Sequence, residues 1–329
     1  MMNTSSNCSL LADFQYHLFS IIYSLVFILG LIENVLALYV LTCKVKNSTQ
    51  SYVYFINLAV VDTMFVCMLP FRIHYHINEN NWIFGDITCR ITGTLYFTNI
   101  YLSIGFFTCI CVDRYIAVVH PLTYLRIRVS HYNIVLTVLL WAIAVAIVVP
   151  LVLGGRLDNF LENNKTACYE SFPESSWKKR LVPYNTCALV FGFVIPFSII
   201  MISYPLIAKR ISKIQTSIHK KKALRTIFMI LAISILCFLP YHLTHLLHFM
   251  MRARIFDHCA FNGFIYKLRR ITLALVSFNC CLNPIMYYFT TSTYSGRLRL
   301  RLRGLRAKKV YTIYDRDMNT FLGTYRNKP

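Results

Sequence analysis

Four groups of residues in this 329-residue chain carry chemistry that their surroundings do not favour. Asp62 lies in Asn57-Leu58-Ala59-Val60-Val61-Asp62, inside an apolar stretch, where a carboxylate must be paired, solvated or matched by a cation. Asp113-Arg114-Tyr115 sets opposite charges side by side at the end of another apolar stretch, so the two can pair locally. Arg72, in Leu69-Pro70-Phe71-Arg72, presents a guanidinium whose geometry matches phosphate in a bidentate manner. It needs an anion, either a ligand phosphate or an internal partner such as Glu170 or Glu174. His242, His245, His248 and Arg252 recur every three or four residues, and Lys267, Arg269 and Arg270 crowd one short segment, with Lys267 and Arg270 on one helical face. No Cys or Asp completes a ligand set with the histidines, so the stripe does not read as a zinc site.

The elements that must position these groups follow from composition. Hydrophobic residues make up 57% of the chain and charged residues only 14%, about half the share of a soluble domain. Apolar stretches recur at 18–43, 52–76, 87–119, 133–153, 182–208, 224–250 and 263–289, each long enough to cross roughly 30 Å of hydrocarbon. Lacking period-two alternation, they are predicted to be helices, because lipid leaves no backbone group unpaired. The expected fold is an all-α membrane protein, a seven-helix bundle. The net charge of +21 does not indicate nucleic acid, because the basic residues are separated by these apolar stretches. No broken inverted repeats, Gly-x-Ser-x-Gly, His-Glu-x-x-His or phosphate loop suggests a transporter or an enzyme.

Of the 34 basic residues, 22 fall in 44–51, 114–132, 209–225 and 291–329, which places those segments in the cytoplasm and the N-terminus outside. No cleavable signal is expected, since residues 1–13 are polar and lack a basic region. Glycosylation tripeptides at Asn3, Asn7 and Asn164 fall on the outer side. Four cysteines, Cys8, Cys89, Cys168 and Cys259, share the oxidising face; of three possible pairings, Cys89 with Cys168 and Cys8 with Cys259 is expected. The other eight are expected to pack as small apolar residues in helices.

In chain order stand Asn34, Asp62, Cys89, Asp113-Arg114-Tyr115, Trp141, Pro196 with Tyr204, Cys237-Phe238-Leu239-Pro240 and Asn283-Pro284-Ile285-Met286-Tyr287. Over about residues 15–305 this resembles a class A, rhodopsin-like G-protein-coupled receptor. Trp82-Ile83-Phe84-Gly85-Asp86, Leu69-Pro70-Phe71-Arg72, Cys168-Tyr169-Glu170-Ser171-Phe172-Pro173, Phe238-Leu239-Pro240-Tyr241-His242 and Asn279-Cys280-Cys281 are similar to its purinoceptor-like branch, especially the non-Edg lysophosphatidic-acid receptors.

That resemblance implies a plasma-membrane receptor with partners in a heterotrimeric G protein and arrestin, and no enzymatic activity. It implies a sodium or polar core at Asp62, Ser103, Asn279 and Asn283, and an activation switch of Asp113, Arg114, Tyr115, Tyr204, Phe238, Pro240, Pro284 and Tyr287. Several positions depart from the family pattern. Glu33 replaces a small residue, Asn283 replaces an Asp frequent in this branch, Phe238 replaces a Trp, and Lys220-Lys221-Lys222 removes the acidic partner that holds Arg114 in some receptors. Gln15 and Arg270 stand where close relatives tend to have Lys and Pro.

The predicted ligand site comprises Tyr23, Arg72, Tyr75, Tyr96, Phe97, His245, Lys267 and Arg270, with Tyr101 nearby: cationic at the mouth, aromatic below. That polarity suits an amphiphile with an anionic head, such as a lysophospholipid. A nucleotide is the first alternative. Proton sensing is the second, through His17, His74, His76, His242, His245, His248 and His258. The expected domains are an extracellular N-terminus (1–17), the receptor bundle (18–290), an amphipathic eighth helix (291–307) with alternating Arg and Leu, and a cytoplasmic tail (308–329). That tail has no Cys for a palmitoyl anchor.

Overall fold

A computed structural model describes residues 13–43, 52–128, 131–153, 158–160, 165–169, 182–212, 218–252 and 259–290. The first four spans are the helices Phe14–Cys43, Tyr52–Ile77, Gly85–Val119 and Tyr132–Leu153, with a short helix, Pro121–Arg128, joining the third to the fourth. The fifth runs from Val182–Leu189 through Val190–Val194 to Ile195–Ser212, and the sixth from Ile218–Ile233 through Ser234–Phe238 to Leu239–Arg252. The seventh comprises Cys259–Val276 and Asn279–Thr290. Between the fourth and fifth spans, β1 (Asp158–Phe160) pairs antiparallel with β2 (Thr166–Cys168), Asp158 opposite Cys168. Residues 291–329, which include the expected eighth helix and tail, lie outside the described residues, as do Asn3, Asn7, Cys8, Asn164, Glu170, Glu174 and His258.

The third span packs against the second, fourth, fifth and sixth and is the axis of the bundle, while the first packs on the second and seventh. Outward-facing positions are apolar: Ile134, Val135, Val138, Leu139, Ile143, Val145, Ile147 and Val149 on the fourth span are all exposed. Water does not tolerate so continuous an apolar surface, whereas hydrocarbon does. Six spans are long and apolar enough to cross a membrane as single helices. The seventh was expected to be continuous over 263–289; it is instead interrupted at Ser277 and Phe278, and its outer part carries Lys267, Arg269 and Arg270.

Prolines account for much of the irregularity. A proline lacks its N–H and clashes with the carbonyl four residues earlier, which loosens the preceding turn; the helices stay regular through Pro70, Pro150 and Pro205 but not before Pro196 and Pro240. The fifth and sixth spans widen into single π turns, Val190–Val194 before Pro196 and Ser234–Phe238 before Pro240. In the seventh, Pro284 cannot donate to the carbonyl of Cys280, and Asn34 does so from the first span at 2.8 Å. The break at Ser277 turns that residue's N–H to Ala274, and the carbonyl of Leu273 accepts from Tyr96 on the third span at 2.6 Å. Side chains of neighbouring spans thus complete the hydrogen bonding that the seventh span gives up.

Asn34→Ala is expected to lower the stability of the purified protein by about 1 kcal/mol, because the Cys280 carbonyl is left without a donor. A thermal midpoint equal to that of the parent protein would show that this bond does not hold the seventh span.

Candidate functional site

The outer half of the bundle is organised by the Cys89–Cys168 disulfide, which ties β2 to the start of the third span with a Cα–Cα separation of 5.7 Å. The side chain of Cys259, the other expected cysteine of helix ends, is not among those described. The eight remaining cysteines are free thiols; Cys111, Cys237, Cys280 and Cys281 are buried, while Cys43, Cys67 and Cys187 are exposed. Two further links fasten β2. Trp82 and Thr166 share a backbone hydrogen bond of 2.8 Å, and Asn81 accepts the Thr166 N–H at 3.0 Å. Lys165 bonds Glu79 at 2.6 Å, and its ammonium holds that carboxyl below the usual carboxylate range.

Directly after the disulfide, Tyr169 adopts a left-handed backbone conformation with φ 61°. This turn lays its ring against the backbone of Gly93, where any Cβ would fall 2.1 Å from a ring carbon. Glycine is therefore obligatory at position 93. The Tyr169 hydroxyl meets Thr94 Oγ1 at 2.7 Å, and its ring lies against Phe97. The loop thereby contributes one wall of the site, a role the linear sequence does not reveal.

Two polar clusters lie within these walls. On the side of the first three spans, Tyr23 donates to Tyr96 at 3.3 Å, Phe65 packs edge-on to Tyr96, and Phe19 stacks on His76. Tyr75 is buried against Trp82 and accepts the Cys168 N–H. Arg72 is half-buried within electrostatic reach of the Tyr96 phenol, and its Nε is enclosed with no hydrogen-bond partner among the described residues. On the opposite side, His242 and His245 are buried on the sixth span, with Phe193 stacked on His242 at 3.9 Å and Tyr241 on His245 at 5.7 Å. The Tyr241 hydroxyl, His242 Nε2 and both ring nitrogens of His245 have no hydrogen-bond partner among the described residues. Burying such groups unpaired costs about 1–3 kcal/mol each. A fold that retains all of these, together with Arg72 Nε, has polar atoms at hand for something that enters.

Of the cations on the seventh span, Lys267 is exposed, whereas Arg270 is buried, donates to Tyr266 at 2.7 Å and lies over its ring. Arg269, which spacing did not single out, is within electrostatic reach of both Tyr241 and His245. Among the remaining histidines, His76 bonds Asn80 at 2.7 Å, His74 bonds Asn78, and His17 is exposed.

At mid-bundle, Asp62 is fully enclosed and accepts from Asn99 at 2.9 Å and Asn283 at 2.7 Å, while Asn279 donates to Asn99 at 3.3 Å. Asn99 was not anticipated; its only sequence signal is an amide one turn before Ser103 on an apolar helix. Ser103 Oγ, Asn279 Oδ1 and Asn283 Oδ1 are buried without partners among the described residues, an oxygen set whose chemistry suits a small cation. Glu33 lies apart on the first span, half-buried, its Oε2 without a partner among the described residues.

At the inner end, Arg114 contacts Asp113 at 3.3 Å. Asp113 is fully buried and also accepts a hydrogen bond from Tyr132 at the start of the fourth span, a partner not foreseen from sequence. Tyr115 is half-buried against His120, and Tyr204 is half-buried on the fifth span. Phe238 is buried edge-on to Phe107 below Pro240, and Tyr287, three residues beyond Pro284, packs on Phe55. Trp141 donates to Asn57 at 2.8 Å and ties the fourth span to the second.

Residues 33–287 match the family described as 7 transmembrane receptor (rhodopsin family). The chain is 37% identical over 295 residues to lysophosphatidic acid receptor 6 of Gallus gallus, covering 88% of this chain and 96% of the relative. It is 35% identical over 302 residues to lysophosphatidic acid receptor 4 of Homo sapiens, covering 88% and 79%. With purinoceptor 1 of Meleagris gallopavo the identity is 33% over 304 residues, covering 90% and 83%.

The geometry around Asp62 separates two neighbouring side chains. Asn99→Leu is expected to destabilise the protein by about 2 kcal/mol, because a buried carboxylate loses a donor, whereas Ser103→Ala stays within about 0.5 kcal/mol. Thermal midpoints of the two variants in the same detergent and in sodium-free buffer check this; equal losses would contradict the assigned hydrogen bonds.

Proposed function

The chain belongs to the rhodopsin family of seven-transmembrane receptors, and from that premise we propose that it binds an extracellular anionic lysophospholipid and activates heterotrimeric G proteins. Members of this family are multi-pass signalling receptors and not enzymes. The observation that carries the ligand class is Arg72, a guanidinium inside the membrane whose Nε lacks a partner among the described residues. It lies within reach of the Tyr96 phenol, which Tyr23 and Phe65 flank with aromatic surface. A phosphate on Arg72 supplies the missing acceptor. An acyl chain then lies against rings that have no use for a charged ligand. Two of the similar proteins are named for lysophosphatidic acid, which has this chemistry.

In this reading Tyr23, Tyr75, Tyr96, Phe97, His245 and Arg270 line the site, and Lys267 attracts the headgroup from the surface. The segment 1–17 is extracellular, with glycans on Asn3, Asn7 and Asn164, and Cys8 is bonded to Cys259. The oxygen set around Asp62, namely Ser103, Asn279 and Asn283, holds a sodium ion in the resting receptor. Ligand contact with the sixth span turns its inner half outward about Pro240, where the π turn has already loosened the helix. Phe238 leaves Phe107, Arg114 leaves Asp113, and Tyr204 and Tyr287 close on the opened face, beside Tyr115. The cavity accepts the tail of a G-protein α subunit and, after signalling, arrestin. A nucleotide is the second reading, favoured by the similarity to purinoceptor 1, because the same cations accept a polyphosphate.

Arg72→Ala is expected to raise the lysophosphatidic acid concentration needed for half-maximal G-protein dissociation by ten- to hundredfold at unchanged surface expression, the loss of a charged hydrogen bond worth about 1.5–3 kcal/mol. A receptor that answers nucleotides or an acid step, ignores the lipid and is indifferent to Arg72→Ala contradicts the proposal. Replacing extracellular sodium with choline is expected to tighten agonist binding severalfold in the parent receptor and to leave Asp62→Asn unchanged; equal effects on both would remove the sodium assignment.

A further inference from the structure

We infer that an anionic headgroup held against the sixth span is bound together with a proton, so that the receptor's affinity for a lysophospholipid rises as the pH falls. The inference rests on the anionic-lipid reading above: Tyr96 lies within electrostatic reach of both Arg72 and Tyr241, so one headgroup lies between the two clusters, and the inference adds the role of the unpaired atoms on the sixth span.

The tautomer of His242 is set by its neighbour. Its Nδ1 lies 2.8 Å from the Phe238 carbonyl, which only accepts, so Nδ1 carries the hydrogen. In the neutral ring Nε2 is then a lone pair, and that atom is enclosed without a partner among the described residues. Both nitrogens of His245 are likewise enclosed without partners; a neutral ring there offers one N–H and one lone pair. The Tyr241 hydroxyl is the third unpaired group. An ionised phosphate offers acceptors alone. It satisfies the Tyr241 hydroxyl and one His245 N–H, but it meets the remaining imidazole lone pairs as one acceptor against another. One added proton removes the conflict from either side: on the imidazole it gives N–H···O, on the phosphate it gives N···H–O. In both cases the complex holds one proton more than the separated partners.

The other elements packed here offer that proton no carboxylate among the described residues. The third span contributes Tyr101, edge-on to His242, and the fifth contributes Tyr184, within electrostatic reach of Tyr241. Phe193 of the fifth span covers one face of His242, its ring inclined by only 5°. On the seventh stand Arg269, within reach of Tyr241 and His245, and Arg270 over Tyr266; His248 lies against that same Tyr266. No carboxylate faces His242 or His245 among the described residues. Arg269 therefore recognises charge, and the two histidines recognise the headgroup's protonation.

The sign of the effect is diagnostic. A phosphate monoester has its second ionisation near pH 6, so a site made of guanidinium alone prefers the dianion and weakens on acidification. A site that takes up a proton strengthens, by up to about tenfold per pH unit per proton. The test is isothermal titration calorimetry of the full-length receptor in lipid nanodiscs with oleoyl lysophosphatidic acid, at pH 7.0, in two buffers of different ionisation enthalpy. Uptake of about half to one proton per lipid is expected, with a Kd that tightens about three- to tenfold between pH 7.5 and 6.5. His245→Gln does not titrate and can turn its amide NH2 toward the phosphate, so that neither partner needs the added proton, and it is expected to bind the lipid with at least half of that uptake lost; His242→Gln provides the same comparison at the second ring. Binding with no proton uptake, with proton release, or with uptake unchanged in both variants overturns the inference and leaves the lipid reading standing. Absence of any binding heat and of competition by the lipid overturns the lipid reading, and this inference with it.

Discussion

Hydrocarbon contains no water to complete a hydrogen bond, and this one constraint governs the bundle. A helix satisfies the constraint by itself wherever it is regular; wherever it is not, another span must supply the missing partner. The seventh span shows this most fully. Pro284 frees the Cys280 carbonyl and the first span answers with Asn34, while the break at Ser277 frees the Leu273 carbonyl and the third span answers with Tyr96. The fifth and sixth spans respond to Pro196 and Pro240 differently, by widening into π turns. Irregular helices thus tie the bundle together, because their defects are repaired from outside the helix.

The same constraint explains why the polar residues form a chain of local agreements running from one face to the other. Asp62 is answered by Asn99 and Asn283, Asp113 by Arg114 and Tyr132, and Trp141 by Asn57. Most of these agreements join two or three spans. Buried atoms without a partner among the described residues are found along the whole bundle, at Tyr54, Ser103, Asn133, Asn279 and Asn283 as well as at Arg72 Nε, Tyr241, His242 and His245.

Much of the architecture was legible in the chain. Span positions followed from apolar runs with few charges, and their observed ends differ by only a few residues from 18–43, 52–76, 87–119 and 133–153. The Cys89–Cys168 bond, the burial of Asp62 and the Asp113–Arg114 contact were also expected from residue type and order. Less visible were the partners. Asn99 and Tyr132 reach their carboxylates across a helix interface, and nothing in their own neighbourhoods marks them. Lys267 and Arg269 look alike as letters, yet the first is exposed and the second is within reach of His245. A rotation of about a hundred degrees per residue decides which of two nearby cations faces the interior, and the linear pattern there was too charged to fix the helical phase.

By itself the sequence determined that the chain crosses a membrane as helices, and which rare polar residues must be matched inside. These are one-body properties: length, hydropathy and the cost of an isolated charge belong to each segment wherever it packs. Only the tertiary structure decided who matches whom, that the seventh span breaks instead of running straight, and that Gly93 must yield its space to Tyr169. Those are pair properties. They depend on helix phase, register and the few ångströms between neighbouring spans, and no single stretch of residues contains that information.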